Sequence, residues 1–224
     1  MTKQFQIQVP TELIRNPEIS HDTFYVYLKL IQHYYVRKAK EVVLDIDHKK
    51  FMFYSNIKSN QTFKKCINQL KEYGLVNTEL DSLPKRGLIK IELNCEMLTS
   101  NKGFKFAQLP YYLMDKCILD TVGYEGVRLL YYLKSYINRY DQFCFCSRDT
   151  IAADIGSNPK TIDKYLMKLK ENKLIKIVKH QIGSTGEFIP NEFGNEKEGF
   201  SKYNNHYYIR ADEFEKIHTK LSEI

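Results

Sequence analysis

The sequence predicts a mostly helical α+β fold in which one small unit is built twice. Three observations carry this. From Ser147 to Ile175, apolar residues recur with helical spacing on both sides of a Gly156-Ser157-Asn158 turn. Ile57 to Val76, in the first half of the chain, matches Ile155 to Ile175 with a one-residue slip. Short alternating segments with turn residues between them follow each stretch, as in a hairpin. Two helices joined by a turn and braced by a small antiparallel sheet make a winged helix-turn-helix. The expected architecture is therefore two tandem winged helix-turn-helix domains, 1–99 and 100–224.

Taken in order, the halves open alike, with IQVPTELI (Ile7 to Ile14) and AQLPYYLM (Ala107 to Met114). Pro10 and Pro110 lie 100 residues apart, and Gln8/Gln108, Leu13/Leu113 and Ile14/Met114 keep that offset. Long aromatic-rich helices are expected at His21 to Val36 and Tyr124 to Arg139. Short β-like segments come next, Val42 to Ile46 and Phe143 to Cys146, followed by Asp47 and Ser147 as N-cap candidates. In the second helix of the 147–175 pair, Ile162, Tyr165, Leu166 and Leu169 form one apolar stripe, and Pro159 suits its first turn. Gly156 supplies the positive φ of the turn. The first hairpin is Leu75 to Glu79 with Leu88 to Leu93 around SLPKRG. The second is Leu174 to Val178 with His206 to Ile209, around a polar stretch from His180 to Asn205 that reads as a long mobile loop. A last helix is expected from Ala211 to Ser222, and the boundary between the halves near Thr99 to Gly103.

Composition narrows the function classes. The 224 residues are 43% hydrophobic and 27% charged, which fits globular domains. With 34 Lys+Arg against 27 Asp+Glu the net charge is +7, and the excess favours a polyanionic partner. The sequence holds no apolar run of membrane-spanning length, and MTKQFQIQVP lacks the apolar core of a secretion signal, so a cytoplasmic location and no membrane partner are expected. Five scattered cysteines (Cys66, Cys95, Cys117, Cys144 and Cys146) suit a reducing compartment. Richness in Lys, Asn, Ile and Tyr points to an AT-rich bacterial or phage genome.

The candidate DNA-reading face of the second half is Asn158, Lys160, Thr161, Lys164 and Lys168. Lysine can donate to guanine O6 and N7, asparagine can bond an adenine edge, and threonine suits a phosphate or thymine methyl. The matching face of the first half is Ser59, Asn60, Gln61, Thr62, Lys64, Lys65 and Asn68, which serves either DNA or dimerisation. Lys85 and Arg86 crown the first wing as a minor-groove or backbone contact. In the second wing, Lys197 and Lys202 are diluted by Glu187, Glu192, Glu196 and Glu198. The tyrosine pairs Tyr34-Tyr35, Tyr111-Tyr112 and Tyr131-Tyr132 read as core rather than as base-stacking platforms. Leu113, Met114, Cys117 and Ile118 form an apolar face for dimerisation or for packing between domains.

Catalytic signatures are missing from the sequence. Cys144 and Cys146 alternate with phenylalanines and read as structural, since a metal would need two further ligands, and His180 and His206 are isolated candidates. The six histidines form no His-x-His pair, and no phosphate-binding G-x-x-x-x-G-K-[ST], G-x-S-x-G or H-E-x-x-H motif occurs. A non-enzyme with no metal and no cofactor is expected.

Ser147 to Ile175 resembles the helix-turn-helix modules of bacterial regulators and of plasmid and phage replication proteins. VPTELIRNPEISHDTFYVYLKL (Val9 to Leu30) resembles the first segment of winged-helix initiators from low-GC plasmids, and the tandem layout is similar to theirs. The resemblance implies a double-stranded DNA partner, origin repeats as the target, and host replication proteins as further partners. A transcriptional regulator with the same DNA chemistry, a homodimer, and a protein-interaction module that has lost DNA are the competing expectations.

Overall fold

The computed structural model describes residues 5–36, 42–94, 105–137, 140, 142–190, 194 and 196–223. It is a mixed α+β, mostly helical fold with small two-stranded sheets. The first half runs β1 (Gln6–Pro10), α1 (Thr11–Ile14), α2 (His21–Val36), β2 (Val43–Ile46), α3 (His48–Tyr54), α4 (Asn60–Glu72) and β3 (Ile89–Glu92). The second runs β4 (Phe106–Pro110), a 3-10 turn (Tyr111–Met114), α5 (Lys116–Tyr136), α6 (Arg148–Asp154), α7 (Pro159–Glu171), β5 (Ile175–Pro190), β6 (Glu196–Ile209) and α8 (Phe214–Ser222). The boundary expected near Thr99 to Gly103 lies outside the described residues, as does Cys95.

The two opening segments do not stay in their own halves. β1 pairs antiparallel with β4, and the register sets Gln8 directly opposite Gln108. When two equivalent segments pair antiparallel with one residue facing its own counterpart, a local two-fold axis runs between them. Ile7, Val9, Ala107 and Leu109 point from this small sheet into the common core, while Gln8 and Gln108 point out.

The same two-fold logic governs the long helices. Tyr25 on α2 and Arg128 on α5 are 103 residues apart, the offset of the expected helix starts His21 and Tyr124. Tyr25 Oη donates to Met114 O at 2.7 Å, the last carbonyl of the second half's opening turn. Arg128 Nε donates to Ile14 O at 3.1 Å, the last carbonyl of α1. Its other two nitrogens donate to Ile19 O at 2.5 Å and Asn16 O at 2.6 Å. Each long helix thus satisfies the end of the opposite half's opening element. Arg128 is fully buried, and burial pushes its guanidinium down to about 10, so it stays charged at neutral pH.

Gly123 interrupts α5 with φ 74° and ψ 174°, so the helix expected to start at Tyr124 begins just after this kink and runs to Tyr136, and a shorter segment from Lys116, not expected from the sequence, precedes it. The kink has a packing reason. A Cβ on Gly123 would meet the Tyr165 ring of α7 at 3.2 Å, and one on Gly126 would lie 3.6 Å from that ring. Two glycines therefore form the seat of α7.

The hairpins also differ from expectation. β3 pairs with β2, and Val76 adds an isolated bridge to Leu93, so the first small sheet has its middle strand at 89–92. In the second half, β5 and β6 continue through the stretch expected to be a long loop and form one antiparallel hairpin. The register slips between Gln181 and Phe188, where Gly183 and Gly186 fall. Runs such as HQIGSTGEFIP are polar because both faces of a two-stranded arm meet water, and polarity alone hid the strands. Leu113, Met114 and Ile118 are fully buried, so they belong to the core and not to a dimer face. Tyr112, Tyr131 and Tyr132 are core as expected, whereas Tyr111 is exposed.

The clasp between the halves can be tested by denaturation. Arg128→Met should lower unfolding stability by about 3 kcal/mol and Tyr25→Phe by about 1 kcal/mol in urea, because hydrogen bonds to charged groups are the stronger. Burial, and then the Arg128 charge, hold the His21 imidazole below its ordinary range. A depressed base contributes stability above the unfolded value of about 6.5 and loses it as pH falls through the folded value. The denaturation midpoint should therefore fall between about pH 7 and about pH 5, and His21→Gln should flatten that window.

Candidate nucleic-acid interface

The helix pair α6–α7 is built from local signals that the sequence carries. Ser147 Oγ accepts from Thr150 N at 3.1 Å and caps α6. Ile151, Ala152 and Ile155 turn inward. Gly156 takes φ 66°, and Ser157 N returns to Ala152 O at 2.8 Å, which closes the turn. Asn158 Oδ1 accepts from Thr161 N at 2.8 Å, and Pro159 occupies the first turn of α7. Ile162, Leu166 and Leu169 are buried, with Tyr165 half-buried in its glycine seat. A salt bridge from Arg148 to Asp163 at 2.6 Å ties the two helices at the surface.

The opposite face of α7 is the candidate site. Lys160, Lys164 and Met167 are exposed, while Thr161 and Lys168 are half-exposed. Lys164 Nζ and Lys168 Nζ sit 5.6 and 5.4 Å from the centre of the Tyr165 ring, so one aromatic ring steadies both ammonium groups. Among the described residues no carboxylate pairs with Lys160, Lys164 or Lys168, and their charge faces solvent. Asn158 differs from its expected role in one respect. Its carbonyl oxygen is spent on the helix cap, which leaves the amide NH₂ as its outward donor.

In the first half, α3 and α4 repeat the construction. Asp47 accepts from Lys49 N and Lys50 N, Asn56 makes the turn at φ 54°, and Ser59 Oγ accepts from Thr62 N at 3.0 Å. Phe63, Cys66, Ile67 and Leu70 are buried. Asn60, Gln61 and Lys65 are exposed together with the cap Ser59. The far part of the face is occupied. Asn68 is bonded at both ends of its amide to Leu80, at 2.9 and 3.3 Å, and Lys64 Nζ donates to Asp81 O at 2.9 Å. Lys85 and Arg86 are exposed on the turn before β3. The two candidate faces are thus alike in frame and unlike in charge.

Each turn is seated on the other half. Tyr124 Oη donates to Ser55 O at 2.5 Å and Asn56 Nδ2 to Asp120 at 2.5 Å. A Cβ on Gly156 would meet Pro17 O at 2.2 Å, so the second turn lies against the segment that follows α1. Arg15 completes the seam. It donates to Ser135 Oγ at 2.9 Å and lies 3.6 Å over the Tyr136 ring.

Sequence reasoning missed Lys170 and Lys179. Both line a cleft of about 400 Å³ between α7 and the hairpin, together with the Asp163 carboxylate and Met167, Ile177, Asn205 and Tyr207. Their signal was available only after β5 could be placed beside α7. The side chains of Lys197 and Lys202 lie outside the described residues. Among the described residues no group of His, Cys, Asp and Glu could hold a metal ion, and no helix is long and apolar enough to cross a membrane.

No protein-family model matches the chain, and the search of curated proteins found no match. The functional reading therefore rests on the site itself.

Gly156→Ala should cost more than about 3 kcal/mol in thermal or urea unfolding, because left-handed strain and a backbone clash add. Gly74→Ala is the matched control: it has φ 66° but nothing within 4 Å of the new methyl. It should cost only about 1–2 kcal/mol.

Proposed function

We propose that the chain is a sequence-specific double-stranded DNA-binding protein made of two tandem winged helices, with α7 and α4 as the groove-reading helices. The observation that carries this reading is the outer face of α7. Lys160, Lys164 and Lys168 form an unneutralised cationic stripe beside Thr161 and the Asn158 amide, on a helix whose other side is fixed to the core. A rigid helix with such a face suits the major groove, where lysines reach base edges and phosphates and short polar side chains leave room for the bases.

The local two-fold between β1 and β4 supports joint use of both helices. α4 and α7 are the equivalent helices of the two halves, and the turn before each is seated on the other half. One chain would then do what a regulator dimer does, and meet two successive major grooves about one helical turn apart. The half-sites would be inverted with respect to each other and unequal in strength. α7 would contribute more phosphate neutralisation than α4, whose Lys64 and Asn68 are already engaged.

Replication initiation from plasmid or phage origin repeats is the process this reading favours, on the resemblance of Val9 to Leu30 and of the tandem layout to such initiators. Transcriptional regulation uses the same surface, and the two-fold relation of the halves suits it equally. Binding to AT-rich duplex should weaken as salt rises. Lys164→Ala with Lys168→Ala should weaken it further and reduce the slope of log K against log salt by about 2, about one for each phosphate no longer neutralised. Titrations of wild type and variant across a salt series measure this. Binding that ignores salt, or a double variant with an unchanged slope, would contradict the assignment and favour a protein-interaction module.

A further inference from the structure

A cleft of about 440 Å³ opens where α2 and α3 of the first half meet the opening turn of the second. None of the residues assigned to DNA contact lines it. Its volume lies within the range of about 300–1,000 Å³ that holds small molecules. Its polar groups are fixed before any guest arrives. Lys29 Nζ donates to Gln32 Oε1 at 2.6 Å and to Met114 O at 2.9 Å. Gln32 Nε2 donates in turn to Tyr111 O at 3.0 Å and to Asp115 Oδ1 at 3.2 Å, and Asp115 Oδ2 lies 2.8 Å from His218 Nε2.

These bonds leave a surplus of donors. An ammonium group carries three protons, so one proton of Lys29 is without an acceptor among the described residues. Lys50, exposed on α3, makes no ion pair among them either. The two carboxylates that line the cleft are committed, Asp115 to Gln32 and His218, and Asp47 to the Lys49 and Lys50 amides that open α3. The rest of the wall is largely apolar and only partly covered. Phe51 and Ile46 are buried, whereas Val36, Tyr54 and Tyr111 are 64, 52 and 37% exposed.

We propose that this cleft binds a small aromatic carboxylate, with its ring among Phe51, Tyr54 and Tyr111 and its carboxylate on Lys29 and Lys50. The aromatic body removes the open faces of the tyrosines from water and meets ring surfaces that favour edge and offset contacts. The carboxylate supplies the acceptor that Lys29 lacks. Burial lowers the Lys29 ammonium from its ordinary range, against the pull of the Asp115 charge, so this cation is poorly solvated and gains from an anion. Because Lys29 is half-buried, such a pair is screened less than one on the open surface. A cationic guest would meet the two lysines with both carboxylates already engaged, and a neutral one would leave the Lys29 proton unpaired.

The guest would touch both halves of the chain, α2 and α3 on one side and Tyr111 on the other. It would therefore add to the contacts that join the halves. A ligand that binds only the folded chain stabilises it by mass action, so the thermal midpoint should rise with ligand concentration.

Calorimetric titration of the full chain with benzoate, cinnamate and 2-naphthoate tests this. At least one of them should bind saturably, one per chain, with Kd below about 1 mM, and should raise the thermal midpoint. The matching alcohol, with CH₂OH in place of the carboxylate, should bind about tenfold more weakly or worse, and Lys29→Met should weaken the carboxylate by a similar factor. Lys50→Ala and Tyr54→Ala change exposed side chains and leave the core alone, so they keep the test decisive if Lys29→Met does not fold. Each should weaken binding by about threefold or more. Failure of all three carboxylates to bind saturably would overturn the proposal. So would an alcohol that binds as well as its carboxylate, or binding that is unchanged in both Lys50→Ala and Tyr54→Ala. DNA is absent from these titrations, so their outcome is separate from that of the DNA-binding reading.

Discussion

Arg128 keeps a charge inside the protein, and among the described residues no carboxylate forms an ion pair with it. Its three nitrogens hold three main-chain carbonyls, at Ile14, Asn16 and Ile19, which is the segment that leads from α1 into α2. A buried cation is tolerated only when its donors are satisfied, and here the acceptors come from the opposite half of the chain. Without Arg128 those carbonyls would lose their partners as well. Tyr25 makes the reciprocal contact with Met114 O, in neutral form. The two halves are therefore interlocked through their openings, and neither opening segment is completed by its own half.

That interlock sets the placement of both helix pairs. β1 and β4 share one sheet about a local two-fold, and each tight turn rests on the opposite half, Asn56 on Asp120 and Gly156 on Pro17. The outer faces of α4 and α7 are consequently held in a fixed relation, as the proposed reading of two grooves at once requires. A flexible tether would add the entropy of ordering the two halves to every binding event, whereas an interlocked pair meets that cost on folding. The faces have diverged within this frame: α7 keeps its lysines free, and α4 commits Lys64 and Asn68 to the loop that carries Leu80 and Asp81.

Much of the local structure was legible in the sequence because it depends on neighbours in the chain. α2 spans His21–Val36 and Asp47 and Ser147 cap helices as expected, whereas Ser59 and Asn158, expected on the DNA-reading faces, turn out to be caps as well. The stripe Ile162, Leu166 and Leu169 is buried and its lysine-bearing face is not. What depends on long-range pairing was not legible. The duplication was visible, yet the exchange of β1 and β4 was not, since nothing in IQVPTELI says which strand completes it. The extent of the β5–β6 arm was hidden because a strand wetted on both faces lacks the alternation by which strands are read. The clasp left a faint trace: Arg128 is the one cation within the apolar run VRLLYYL, and a charge there needs a buried partner.

The most direct test of joint DNA reading by α7 and α4 is to recover and sequence the duplex fragments that this protein selects from its own source genome. Enrichment of a short site is expected, with two unequal half-sites in inverted orientation and about one helical turn between their centres. Clusters of that site within an AT-rich origin would identify initiation as the process, and single sites over promoters would identify regulation. Recovery of fragments with no common sequence, or of no fragments above background, would contradict the central claim that α7 and α4 read DNA together.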